Sequence, residues 1–157
     1  MEPRMNLMSQ PKALKAMGHL AAVHKEVVDA ALSATTAELV NIRASQINGC
    51  GFCTDMHTKE ATARGETDVR LHLVAVWRDA TVFTEAERAA LELTEEATRI
   101  ADAAGGVPDE VWANAAKHYD EQQLLALVTQ IALINAYNRL NVATRNTGGN
   151  YTAGQFG

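Results

Sequence analysis

From Pro11 to Arg145 apolar residues return at intervals of three and four, with alanine and leucine abundant, and no β-branched run alternates between turn residues. That periodicity restricts the chain to helices, and its punctuation divides them. Thr84 with Glu87 forms a capping box, Pro108 followed by Asp109 and Glu110 suits a first helical turn, and Asp120 with Gln123 makes a further cap. Gly65, Gly105 and Gly106 supply stops. The pattern predicts helices near 11–31, 36–47, 50–64, 67–78, 84–104, 108–118 and 120–146, joined by short connections. The fold class expected is all-α, in a single domain over residues 1–157. With 157 residues, 47% of them apolar, and three prolines, such a chain can bury one core without help from disulfides or metals.

On the last of these helices Leu124, Val128, Ile131 and Asn135 form one stripe, yet Leu125 and Leu133 lie off it. A helix apolar nearly all round belongs in the core or at a subunit interface, so a homo-oligomer is expected. Asn135 and Asn138 fall on or near the apolar stripe, where a buried amide must find partners, and they read as core or interface hydrogen bonds. The weakly patterned ends, 1–9 and 147–157, read as tails or packing arms. The net charge of −5 and a pI near 5.5, with lysines and arginines scattered, argue against a nucleic-acid partner. No apolar run approaches the ~20 residues that span a bilayer. The N-terminus lacks a basic region followed by an apolar stretch. Neither membrane nor secretion is expected, and the cytoplasm is the expected location.

The only two cysteines, Cys50 and Cys53, are three residues apart. In a reducing compartment so close a pair points to redox chemistry or metal binding rather than a structural staple. The preceding Asn48-Gly49 is a breaker pair, so one helix is expected to end there and the next to begin near Cys50, with both thiols in its first turn. Unpaired backbone N–H groups and the positive end of the helix dipole favour thiolate at that place. Cys53 and His57 are four apart and share a helical face, which suits an imidazole that takes the thiol proton or stabilises the thiolate. The Cys50–Cys53 spacing allows an oxidised Cys53 to be captured by Cys50. Glu38, near the start of the preceding helix, can fold back over the pair through the Asn48-Gly49 turn and orient or charge His57.

Each of these residues also has a plain reading. A Cys-x-x-Cys pair alone is often half of a metal site, but zinc here would lack a fourth strong ligand unless Glu38 served. Haem attachment requires His directly after the second Cys, and Thr54 stands there. No metal and no organic cofactor is expected. His19, His24, His72 and His118 read as surface or satisfied core residues, and Trp77 with Arg78 as a helix-end Trp beside a solvated Arg.

The order Glu38, eleven residues, Cys50-Gly-Phe-Cys53, three residues, His57 resembles the core signature of the AhpD-like, carboxymuconolactone-decarboxylase-type alkylhydroperoxidases. Around it Trp77-Arg78, the stretch Phe83 to Arg88 and the stretch Ile134 to Arg139 are similar to family landmarks, and the resemblance covers roughly residues 30–145. It implies an antiparallel helical bundle of about six to seven helices, assembled as trimers or hexamers. It implies Cys53 as the peroxide-attacking thiolate, Cys50 as proton donor and resolving thiol, and Glu38 with His57 as a proton relay. The partners implied are a hydroperoxide substrate and a dithiol reductant. One position departs from the resemblance: the mycobacterial alkylhydroperoxidase carries a histidine immediately before its second cysteine, and Phe52 stands there. The true carboxymuconolactone decarboxylases lack the cysteine pair, so lactone decarboxylation is not expected. Two other readings use the same residues. One is a redox-sensing binding protein, and the other is a superfamily enzyme that acts on another substrate, such as a halogenated compound or a lactone.

Overall fold

The computed structural model describes residues 2–156. Among them there are seven α-helices and no strand: α1 (Pro11–Val23), α2 (Ala34–Ile47), α3 (Gly51–Ala63), α4 (Asp68–Leu73), α5 (Glu85–Thr98), α6 (Asp109–Ala115) and α7 (Glu121–Thr144). The all-α class follows as the periodicity required. Two helix starts are the predicted capping boxes, Thr84 with Glu87 on α5 and Asp120 with Gln123 on α7. At α2 the cap is Ser33, whose hydroxyl accepts the Thr36 N–H at 3.1 Å, so this helix begins two residues before the expected start at 36.

The three largest departures from the expected boundaries each have a packing reason. The expected helix 11–31 stops at Val23 and continues as a π-helical turn, His24–Val28. The extra residue per turn drives Val28 into the core and aims His24 at α7. The expected helix 67–78 becomes α4 followed by a 3-10 turn, Val74–Asp79, kinked at Val76. That kink lets Trp77 bury its ring and donate its indole N–H to Glu95 Oε1 at 2.9 Å. The expected helix 84–104 ends at Thr98. Beyond it Ile100 is exposed and the following residues find no apolar surface to cover, so propensity alone does not carry the helix on.

The largest core cluster joins α2, α5, α6 and α7 through Val40, Leu93, Val111, Leu127 and Ile131, with Val28 from the π turn. A second cluster packs Leu39 and Ile42 of α2 against Leu71, Val74 and Trp77. The seam of α7 that faces inward is Leu124, Leu127, Ile131, Ile134 and Asn138; Val128, expected on the stripe, is exposed with Leu125 and Leu140. α1 has no buried residue. Among the described residues no helix is long and apolar enough to cross a membrane.

After α7 the chain turns through Arg145, which adopts a left-handed conformation at φ 58°, and lies across α3. Asp55 accepts the N–H groups of Gly149 and Tyr151, Lys59 donates to the carbonyls of the same two residues, and Glu60 accepts from the Tyr151 hydroxyl and the Gly154 N–H. The Tyr151 ring meets Phe52 edge-on, with centroids 6.5 Å apart. Gly148 sits so near the Gly51 carbonyl that a Cβ on it would come within 2.4 Å of that oxygen. The C-terminal segment is thus a packing arm.

Candidate functional site

The site is built on the α2–α3 corner. α2 ends at Asn48, Gly49 takes the positive φ of 65° that reverses the chain, and Cys50 is the N-cap of α3. The reversal is closed by Cys50 N–H donating to Ser45 O at 2.9 Å. In the cap position the Cys50 sulfur accepts the Cys53 backbone N–H at 3.4 Å. The first turn of α3 therefore delivers both thiols to the positive end of its dipole. The two Sγ atoms lie 2.6 Å apart in thiol–thiol contact, and both residues are free cysteines only 1% exposed. They pack with Ala44, Ile134 and the half-buried Phe52.

This contact sets the acidity of the pair. The hydrogen bond with Cys53, against the opposing effect of burial, lowers Cys50 to about 7, helped by backbone N–H groups of the α3 turn and by Asn138. The same hydrogen bond, burial and the neighbouring Cys50 charge push Cys53 well above an ordinary thiol, with Asn138 and Asn141 working the other way. The pair gives up its first proton easily and holds the second. The first proton lost belongs to the pair as a unit, with the charge held at the helix N-terminus.

Behind the sulfurs α7 presents three asparagines. Asn141 donates to Cys53 Sγ at 3.5 Å, and Asn138 donates to Ser45 Oγ at 3.0 Å. Asn48 donates to the amide oxygens of Asn135 and Asn138 at 3.0 and 2.9 Å. This lattice ties the corner to the core helix. Asn135 and Asn138 were legible as buried amides seeking partners; the contact of Asn141 with sulfur was missed. Its signal was the three-residue repeat Asn135, Asn138, Asn141 on the inward face of a helix.

Glu38 and His57 meet as expected, with Glu38 Oε2 2.7 Å from His57 Nδ1. Arg64, at the end of α3, holds the other carboxylate oxygen, a partner that sequence reasoning did not identify. Burial raises the Glu38 carboxyl, but the hydrogen bonds and charges of His57 and Arg64 outweigh it and hold the group below the usual carboxylate range. His57 Nδ1 also lies 3.3 Å from the Asn41 amide. Among the described residues no hydrogen bond joins His57 to Cys53. The structure thus brings Glu38 to His57 and Cys50 to Cys53 as two contacting pairs on one helix turn and its neighbour. A cavity of about 130 Å³ opens beside Glu38 and Arg64, also lined by Thr35 and Glu66.

Trp77 and Arg78 stay outside the site, but Arg78, read as solvated, has a buried partner. Trp77 is buried, and Arg78 stacks on its ring with the guanidinium carbon 4.3 Å from the centroid while bonding Glu95. Among the described residues no cluster of three or more His, Cys, Asp or Glu is placed to hold a metal.

Comparison with known proteins gives the family from sequence and the fold from solved structures. A model of the carboxymuconolactone decarboxylase family matches residues 11–96. The uncharacterized protein YdfG of Bacillus subtilis is 40% identical over 136 residues, spanning 87% of this chain and 89% of that protein. A crystal structure from Agrobacterium tumefaciens, of a protein of unknown function proposed as an AhpD-type antioxidant defence protein, superposes with a TM-score of 0.87. The two are 32% identical, covering 96% of this chain and all of that one. The debrominase Bmp8, at 20% identity, shares the fold with a TM-score of 0.78 over 92% of this chain and 75% of its own.

Proposed function

Because the chain belongs to the carboxymuconolactone decarboxylase family, we propose that it is a thiol-dependent alkyl hydroperoxide reductase that draws two electrons from Cys50 and Cys53. The observation that carries this reading is the sulfur pair itself, 2.6 Å apart at a helix N-terminus, a contact that lowers the Cys50 thiol below its ordinary value. As hydroperoxide arrives, the shared proton settles on Cys50. The Cys53 thiolate, steadied by the Asn141 amide, attacks the terminal peroxide oxygen; the O–O bond breaks and Cys53 becomes a sulfenic acid. The Cys50 proton goes to the leaving alkoxide, giving the alcohol. Cys50 thiolate then displaces hydroxide from the Cys53 sulfur, and a proton supplied through His57 and Glu38 turns it into water. The products are alcohol, water and a Cys50–Cys53 disulfide. An external dithiol reopens that disulfide and is itself oxidised.

Two other readings have a specific support each. Burial of both sulfurs restricts the access of peroxide and reductant, which would limit turnover and leave the same pair as a redox sensor once it opens to solvent. The fold shared with a debrominase suits an enzyme acting on another substrate, with Glu38 and His57 as acid and base. Wild type and Cys53→Ser are to be compared for reduction of cumene hydroperoxide in excess dithiol, with mass spectrometry of the peptide holding both cysteines. Multiple turnovers, lost in the variant, support the reductase. A disulfide without turnover favours the sensor, and an unoxidised pair sinks the thiol mechanism. The exposed faces of α1 and α7 further suggest a homo-oligomer, and the unpaired thiols suggest a reducing, cytoplasmic setting.

A further inference from the structure

His57 is not the end of its hydrogen-bond chain. Asn41 of α2 and Gln130 of α7 are both buried, at 3% and 4% exposure, and the Gln130 amide nitrogen donates to the Asn41 amide oxygen. Gln130 in turn lies 2.7 Å from His24 Nδ1, and His24 Nε2 lies 3.1 Å from Asp29 Oδ1. A continuous polar line therefore crosses the core, from Glu38 through His57, Asn41 and Gln130 to His24 and Asp29. It passes between three helices and the π turn, and the thiol chemistry proposed above uses only its first two members.

As placed, the Gln130 amide nitrogen donates to the Asn41 oxygen and the Asn41 nitrogen faces His57 Nδ1; the ionised Glu38 bonded to that same nitrogen favours the reverse polarity. The nitrogen and oxygen of a side-chain amide have the same shape, so each amide has two orientations, and hydrogen-bond logic selects between them. Glu38, gripped by Arg64 and ionised, requires a proton on His57 Nδ1. Asn41, 3.3 Å from that nitrogen, must then turn its oxygen to it. Its NH2 group faces Gln130, which must present oxygen and send its own NH2 to His24 Nδ1. His24 accepts there, so its proton sits on Nε2 and is donated to Asp29. The opposite polarity puts an N–H of Asn41 against a nitrogen that already carries a proton. It becomes possible only when His57 gives up the Nδ1 proton and His24 gains one.

We propose that Asn41 and Gln130 are positioning residues for His57, which keep its proton on Nδ1 and its Nε2 bare, and that they couple its protonation to that of His24. The amides orient and do not pass protons, so the line is a coupling and not a conduit. The charged groups around its two ends are Glu38, Arg64 and Glu60 near His57, and Asp29 beside His24. The role at the thiols rests on the reductase reading; the coupling does not, because it is measured on the reduced protein without peroxide.

The test is imidazole nitrogen NMR on the full chain, labelled with nitrogen-15 at histidine, with the rate of Cys50–Cys53 disulfide formation by cumene hydroperoxide followed in parallel. Wild type is expected to show His57 protonated on Nδ1 and His24 on Nε2. Asn41→Asp is the discriminating variant. Its new carboxylate still accepts from His57 but can only accept from Gln130, which turns Gln130 over and forces a proton onto His24 Nδ1, two links away. Adding Gln130→Met to that variant should return His24 to Nε2. Asn41→Leu should slow disulfide formation about fivefold, the worth of one hydrogen bond, and Asn41→Asp should recover most of that loss. A His57 protonated on Nε2, or a His24 indifferent to Asn41→Asp, overturns the coupling. Normal coupling without any oxidation of the cysteines leaves it standing and removes the reductase reading instead.

Discussion

Cys50 and Cys53 titrate as one unit because a proton is held between their sulfurs. Thiolate absorbance near 240 nm is therefore expected to rise by one equivalent around pH 7, with the second appearing far higher. Cys53→Ala removes the sulfur contact that is the largest cause of the low value, so the midpoint of the remaining Cys50 should move up towards an ordinary thiol. An unmoved midpoint would assign the acidity to the helix N-terminus and Asn138 instead. At this scale the sequence was informative wherever spacing along one helix decides contact, as for Cys50, Cys53 and His57. It was silent where a partner arrives from a distant segment. Asn141 reaches the site across a helix crossing, and burial of the sulfurs likewise follows from packing with Ile134. Arg64, seven residues after His57 at the end of α3, and Asn41, three after Glu38 on α2, stand at helical spacing from residues already singled out.

At the scale of elements, one carboxylate joins three segments. Glu95 of α5 bonds Arg43 of α2, Trp77 and Arg78 of the 3-10 turn, and Arg99 beyond its own helix. Burial raises its carboxyl, but Arg78, Trp77 and Arg43 overcome that and bring it down to about 2 from an ordinary 4.5. A carboxylate whose folded-state value is depressed stabilises above its unfolded value, and that contribution drains away as pH falls towards the folded value. Ionised Glu95 thus contributes on the order of 3 kcal/mol at neutral pH, by the free energy of such a difference. Glu95→Gln should destabilise the protein by about that amount at pH 7 in urea unfolding, and the gap to wild type should close between about pH 4.5 and 2. A pH-independent gap would mean that packing, not charge, holds the junction. Helix starts were readable here because caps are local chemistry, as at Thr84 and Asp120. The π turn at His24 and the kink at Val76 were not, because each exists to place one side chain against a remote partner.

The whole molecule leaves more apolar surface open than its fold uses. α1 buries none of its residues completely, and Leu125, Val128, Leu140 and Val142 of α7 are exposed together with Trp112. If copies of the chain cover these faces, stability must depend on concentration. The melting temperature is then expected to rise by a few degrees for each tenfold increase in protein, with a multiple of the 16.9 kDa chain mass in sedimentation. A monomer at every concentration, with a constant melting temperature, would remove the oligomer from the account.

Apart from the local pairing of Thr152 with Gln155, the hydrogen bonds of residues 149–154 to the rest of the described molecule end on Asp55, Lys59 or Glu60, the outer side of the helix that carries both thiols and His57. The last segment of the chain is thus clasped to its most reactive one, more than ninety positions away along the backbone. The loop closed between them encloses most of the fold, so fraying at the C-terminus is not a peripheral event here. The stiffness of α3, and with it the steadiness of the two sulfurs, is set in part by the segment that follows α7.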